Sequence, residues 1–181
     1  MKLTFLNLGN QKNLITDVLL YPLKVNRDQR GTLTEVLKKN WKEVFSKDLP
    51  FAQSYISVTN PGFARDEELW HFHPHQTDRF VVMAGNCVFA LYDARKNSKT
   101  FGVLNLFLMG EKNGEAQYLL LIPKKVLHGF CPVGEDPCCL LGFPTHLYEP
   151  GEEGRISFDK FNACLSDGTP FSWKAVRESF K

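Results

Sequence analysis

Apolar and polar residues alternate along this chain in short runs separated by turn signals, a period of two that predicts strands. Leu69 to His73 and Val103 to Leu108 are runs of this kind, and Arg79 to Ala84, Cys87 to Tyr92, Gln117 to Ile122 and Cys138 to Phe143 are short, largely apolar runs that also read as strands. Ala52 to Thr59 alternates as far as the strong turn signal Asn60-Pro61-Gly62. Gly85-Asn86, between two apolar runs, predicts a hairpin. Val18 to Leu23 reads as an edge strand, because Pro22 cannot donate to a ladder. The turn cluster Asn26 to Gly31 precedes a further β-prone run over Thr32 to Leu37, and Gly110 to Gly114 is another turn cluster. Helical spacing occurs twice. Trp41 and Phe45 predict a short helix over Lys38 to Phe45, and Trp173, Val176 and Phe180 predict a terminal helix over 172–180 with Ser172 as N-cap. Many short strands and little helix predict one all-β sandwich or barrel with its core over about residues 18–160.

At 181 residues the chain can bury one substantial core, so a single domain over residues 1–181 is expected. Its 22 basic and 20 acidic residues leave a net charge of +2 spread along the chain, which argues against a nucleic-acid partner and leaves room for a small anionic ligand. No apolar run approaches the roughly 18 to 20 residues of a membrane helix, so no membrane partner is expected. The cysteines, Cys87, Cys131, Cys138, Cys139 and Cys164, are odd in number, form no C-x-x-C and follow no signal peptide. They read as reduced thiols of a cytoplasmic protein.

The densest chemistry lies between Trp70 and Gly85. His71 and His73 are two apart, so on an extended strand both imidazoles project from one face while Trp70 and Phe72 pack on the other. Asp78 follows five residues later, and His128 comes much further on, after Pro123. If these four groups converge, three nitrogens and a carboxylate suit Fe, Mn, Ni or Zn. The same histidines can instead move protons. Elsewhere His75, His146 and Glu111-Lys112-Asn113 read as solvated loop residues and Cys138-Cys139 as strand core. Lys125, at a tight bend before His128, is placed to reach a cavity mouth.

His71, His73, Asp78 with Gly85, and Pro123 with His128 resemble the two motifs of the cupin superfamily, with Asp78 where that family usually carries the longer Glu. The resemblance implies a double-stranded β-helix, or jelly roll, with short peripheral helices. It also implies one reading of the site: a divalent transition metal held by His71, His73, Asp78 and His128.

From Asp28 to about Asp159 the chain resembles, more narrowly, the dTDP-4-dehydrorhamnose 3,5-epimerase family. Asp28 to Glu35 is similar to its D-x-R-G-x-F-x-E, Gln53 with Ser57 to its Q-x-N-x-S, and Asp93 to Gly102 to its D-x-R-x-x-S-x-T-F-G, the most specific block. Ile122-Pro123 with His128-Gly129-Phe130 is similar to I-P-x-G-x-x-H-G-F, and Tyr148-Glu149-Pro150 to Y-x-P. This resemblance implies a homodimeric, cofactor-free isomerase that removes a proton beside the 4-keto group of a nucleotide sugar. His71 would be the base, with His73 paired to it as in related 3,4-ketoisomerases. Arg79, at the family's Lys, or His128 would stabilise the enolate. Arg30, Glu35, Gln53, Arg65 and Tyr148 would contact substrate, Arg30 and Glu35 across a subunit boundary.

The chain departs from that family in three places. Glu68 replaces an arginine three residues before the base, in a loop, Arg65 to Glu68, whose negative charge is ill-suited to a diphosphate. Gly142 falls where the family has its catalytic tyrosine, which implies proton exchange at one carbon only unless Tyr92 or Tyr148 supplies an acid. No residue after Asp159 matches the aspartate that orients the family's base. A carbohydrate-binding relative without catalysis is the third reading.

Overall fold

A computed structural model describes residues 3–111 and 117–181 of the chain. The strands are β1 (Leu19–Pro22), β2 (Val25–Asp28), β3 (Gly31–Thr34), β4 (Tyr55–Thr59), β5 (Leu69–Phe72), β6 (Asp78–Ala84) and β7 (Asn86–Tyr92). They continue as β8 (Leu104–Gly110), β9 (Tyr118–Ile122), β10 (Leu127–Pro132), β11 (Cys138–Gly142) and β12 (Gly154–Ser157), and the helix α1 spans Trp173–Glu178. Two five-stranded antiparallel sheets run in the orders β1-β9-β6-β11-β4 and β12-β5-β10-β7-β8, with β2 and β3 as a separate ribbon. Phe80, Val82, Leu120 and Leu140 of the first sheet share one core with Phe89, Leu91, Phe107 and Met109 of the second. The molecule is the cupin-type jelly roll that the sequence implies, and β1 with its terminal Pro22 is an edge strand as expected.

The outer faces are covered too, which is why β7 and β9 are buried along their whole length and read as continuous apolar runs. Leu165, Phe171, Trp173 and Val176 pack with Val88, Ala90 and Leu106 outside the second sheet. Leu23, Val44 and Phe143 pack with Val81, Leu119 and Leu121 outside the first. The helix α1 starts as predicted, with the Ser172 hydroxyl accepting from the Ala175 amide at 3.1 Å.

Three readings need correction. Gly85 makes no hairpin: β6 and β7 belong to different sheets, so the chain turns a corner of the sandwich there. Its φ of +71° and a backbone so close that a Cβ would lie 2.3 Å from the Pro137 carbonyl oxygen both demand glycine. Residues 38–45 form single turns and not a helix. The Val44 and Phe45 amides both bond the Trp41 carbonyl, at 3.1 and 2.8 Å, while the carbonyls of Val44, Leu49 and Pro50 accept from the buried Arg79 guanidinium at 2.7, 3.2 and 2.7 Å. A helix running on from Phe45 would have used those carbonyls in its own ladder. Finally, β12 lies in a stretch where no strand was read. The turn cluster over 110–114 falls mostly outside the described residues.

The Asp93 to Gly102 block is architectural. The Asp93 carboxylate accepts from Arg95 Nε at 2.8 Å, Ser98 Oγ at 2.6 Å and Thr100 Oγ1 at 2.7 Å, and Arg95 donates onward to the Thr16 carbonyl at 2.8 Å. Burial acts to raise the carboxyl pKa, but these donors outweigh it and hold it at about 2. The block ties the end of β7 to the N-terminal segment.

Candidate active site

Strand alternation builds a cavity between the two sheets. On β5 the His71 side chain faces in while Trp70 is buried on the other side, ringed by Phe158 at 4.7 Å and Phe171 at 4.8 Å. His71 is paired in register with His128 of β10 on one side and with Arg155 of β12 on the other. From the first sheet, Asp78 and Phe80 of β6, Leu140 of β11, and Tyr55 and Ser57 of β4 close the cavity, with Arg65 on its wall.

The three histidines meet. Nε2 of His71 lies 3.0 Å from Nε2 of His73, and candidate ligand atoms of His71, His73 and His128 all fall within 4.8 Å of one another. Asp78 Oδ2 stands 3.5 Å from His73 Nε2 and 3.6 Å from His128 Nε2, while its Oδ1 accepts from Gln76 at 2.7 Å. His73 Nδ1 lies 3.0 Å from the Glu152 carbonyl oxygen and His128 Nδ1 3.0 Å from that of Val126. A carbonyl can only accept, so both Nδ1 atoms carry hydrogen and both rings turn Nε2 toward Asp78. His71 Nδ1 is buried with no hydrogen-bond partner among the described residues.

Burial pushes His71 down to about 4, helped by the neighbouring His73 and then Arg155. Burial does the same to His128, also to about 4, although Asp78 opposes it. Both rings are therefore neutral at pH 7.

The cavity thus gathers His71, His73, Asp78, His128 and Arg65, as the sequence suggested, and leaves several expected residues outside. Arg79 follows Asp78 on β6, so it points to the opposite face, where it is fully buried and bonds the carbonyls of Phe143, Val44, Leu49 and Pro50; it cannot meet an enolate. Arg30 pairs with Asp28 and Glu35 with Lys38, both on or beside the exposed β2-β3 ribbon. Gln53 is half-buried just before β4, and Tyr148 is exposed beyond β11; neither lines the cavity. Tyr92 faces outward, 5.3 Å from Phe161, and Lys125 borders a different groove, with Phe72 and Lys96.

Other residues enter that the sequence reading passed over. Arg155 lines the cavity, bonding Asp66 at 3.0 Å and Glu153 at 2.7 Å, and Glu153 Oε2 lies 3.8 Å from His71 Nε2. The signal was available in Gly154-Arg155-Ile156-Ser157, a short alternating run. Tyr55 lines the same space. The acidic loop is also less negative than it looked, because Arg155 meets Asp66 and Arg177 grips Glu67.

With this geometry in hand, comparison with known proteins is informative. A family model described as dTDP-4-dehydrorhamnose 3,5-epimerase matches residues 12–166. The chain is 40% identical over 148 residues to the "Probable low-salt glycan biosynthesis epimerase" of Haloferax volcanii, covering 80% of this chain and 89% of that protein. It is 33% identical over 160 residues to the spore coat polysaccharide biosynthesis protein SpsL of Bacillus subtilis, covering 87% and 99%. Among solved structures, a dTDP sugar isomerase from Desulfovibrio desulfuricans matches with a TM-score of 0.73 at 26% identity, over 88% of this chain and 92% of that one.

The buried histidines give the fold a defined pH dependence. An unfolded histidine titrates near pH 6.5, while folded His71 and His128 titrate at about 4. Between these values the unfolded chain binds more protons, so their contribution is complete above pH 6.5 and is lost as pH falls toward 4. The upper bound is about 3 kcal/mol per ring. Urea midpoints measured across this window should fall steeply, and His128→Asn, which cannot titrate, should flatten the fall. A variant with the parental slope would contradict burial of a neutral ring.

Proposed function

The chain belongs to the dTDP-4-dehydrorhamnose 3,5-epimerase family, and from that premise we propose that it is an isomerase acting on a nucleotide-linked 4-keto-6-deoxyhexose by removing a proton beside the ketone. The observation that carries this reading is the His71–His73 pair inside a cavity flanked by two guanidiniums, Arg65 and Arg155. The cavity measures about 190 Å³, below the roughly 300–1,000 Å³ of a site that swallows a whole drug-sized ligand. It takes the sugar end, and the nucleotide lies outside.

His71 is the base. It is neutral at pH 7 and so able to accept a proton, but a ring at about 4 is a weak acceptor. A substrate diphosphate held against Arg155 offsets one of the charges that depress His71 and moves it toward useful basicity. The electrons of the broken C–H bond pass to the ketone oxygen, whose charge falls to Arg65. With Arg79 buried elsewhere and His128 offering Nε2 only as an acceptor, neither residue stabilises the enolate at neutral pH.

One observation favours a second reading. Nε2 of His73 and of His128 converge on the Asp78 carboxylate beside His71, a set of nitrogen and oxygen atoms able to hold a cation at its centre. Both Nδ1 atoms are anchored to backbone carbonyls, as in ligating histidines. A divalent transition metal fits these residues, with His71, His73, His128 and Asp78 holding it. Bound there, it would polarise a substrate oxygen.

The reading extends to a homodimer. Arg30 and Glu35 do not line the histidine cavity of their own subunit, and Ile56, Val58 and Met83 stand 68%, 56% and 52% exposed on the outer face of the sheet that β4 borders. These features support a second copy seated on that edge. Unpaired thiols at Cys87, Cys131, Cys138, Cys139 and Cys164 support a reducing compartment such as the cytoplasm. Among the described residues no helix is long and apolar enough to cross a membrane.

In D2O the protein should exchange a proton beside the ketone of a dTDP-4-keto-6-deoxyhexose, followed by NMR. His71→Ala should slow exchange by about 10²- to 10⁴-fold, with a smaller effect of Asp78→Ala. Stoichiometric metal in untagged protein, lost in His71→Ala, His73→Ala and Asp78→Ala alike, would favour the metal reading. Neither exchange nor metal would leave a carbohydrate-binding protein. Sedimentation at micromolar concentration should show a dimer, and a monomer would contradict the shared site.

A further inference from the structure

Resting on that reading, we infer that Tyr55 is the general acid of this enzyme, delivered from β4 onto a seat that Gly142 leaves open on the neighbouring strand. Tyr55 and Gly142 are direct cross-strand partners, and Gly142 is in turn paired with Phe80 of β6. All three positions face the cavity. A Cβ built on Gly142 would lie 2.5 Å from Cζ of Tyr55 and 2.9 Å from each Cε. Cζ is the ring carbon that bears the hydroxyl, so the phenol head lies over β11, on the way to β6, and not over the open edge of the sheet. Any side chain at Gly142 would expel it.

The placement fits the chemistry. Tyr55 belongs to the first sheet and His71 to the second, so a sugar ring between them meets a base on one face and a phenol on the other. The Tyr55 hydroxyl has no hydrogen-bond partner among the described residues, while Asp78 and Arg65 are near enough for both charges to act on it. Burial of the ring and then Asp78 push it above the usual tyrosine range with Arg65 opposing, although the residue as a whole is 41% exposed. On either measure it is protonated at neutral pH. The free hydroxyl is a donor without an acceptor, aimed into a cavity built for an enolate.

The step balances. His71 takes the proton from the carbon beside the ketone, and the C–H electrons move to the ketone oxygen. The Tyr55 O–H bond then breaks, its proton forms the new C–H bond on the opposite face as the enolate electrons return to carbon, and a phenolate remains. Solvent reprotonates the phenolate, and the imidazolium releases its proton to solvent. The net change is inversion at one carbon with no redox.

The test separates inversion from exchange. Parent, Tyr55→Phe and Gly142→Ala proteins are incubated with a dTDP-4-keto-6-deoxyhexose in D2O, and NMR reads both deuterium at the carbons flanking the ketone and the amount of epimer. Tyr55→Phe should form epimer at least about 100-fold more slowly yet still wash deuterium into the substrate with retention, because His71 can return what it took. Gly142→Ala keeps the phenol but displaces its head, and should lose epimer in the same way, with KM nearly unchanged. Tyr55→Phe that epimerises at the parental rate overturns the assignment alone. Parent protein that exchanges nothing overturns the epimerase reading and this inference with it. Loss of exchange and epimer together in Tyr55→Phe would make Tyr55 a packing residue and also defeat the inference.

Discussion

The site depends on Trp70 being held where it is. The indole is fully buried between Phe158 and Phe171 on the outer face of the second sheet, and a strand turns successive side chains to opposite faces. With Trp70 fixed outward, His71 has to face the cavity, and His73 follows on the same side. A slip of one residue would put both imidazoles in the apolar outer layer and leave Trp70 in the cavity, so the register is strongly specified. The residues that hold Trp70 come from the segment after β12, which makes the C-terminal part of the chain a support for chemistry that sits far away in sequence. Just ahead of β12 lies Glu152, whose carbonyl fixes the His73 ring, and β12 itself carries Arg155, which stands beside His71.

Electrostatics then give the cavity its character. Three histidines, of which His71 and His128 are neutral at pH 7, a carboxylate and two partly engaged guanidiniums are packed into a small space, Arg155 being paired there with Asp66, while charges beyond it are matched as Glu67 with Arg177 and Asp93 with Arg95. A ligand bringing a ketone and a diphosphate adds negative charge where the cavity holds donors. The family relationship and the geometry converge on the same chemistry from independent directions.

Much of this was legible in the sequence. Alternating and short apolar runs gave most of the strands, and the spacing of His71 and His73 gave their shared face. What alternation could also have said about Arg79 was overlooked: neighbours on one strand cannot both enter a cavity, so Asp78 inside sends Arg79 outside. Gly85-Asn86 looked the same whether the chain turns back within one sheet or crosses to the other, since both need a positive φ and a short link. Gly142 was visible as a departure from the family, but its compensation was not, because Tyr55 lies 87 positions away and only the pairing of β4 with β11 brings its ring over the glycine. Arg155 was missed because its strand is four residues long and lies among turns.

The central claim is that base and acid face each other across a bound sugar. A crystal structure of the protein with an unreactive dTDP-hexose carrying a C4 hydroxyl tests it most directly. The account predicts the hexose ring between His71 and the Tyr55 hydroxyl, with the C4 oxygen toward Arg65 and the diphosphate on Arg155. A hexose bound outside the cavity, or one with both side chains on the same face of its ring, would contradict it.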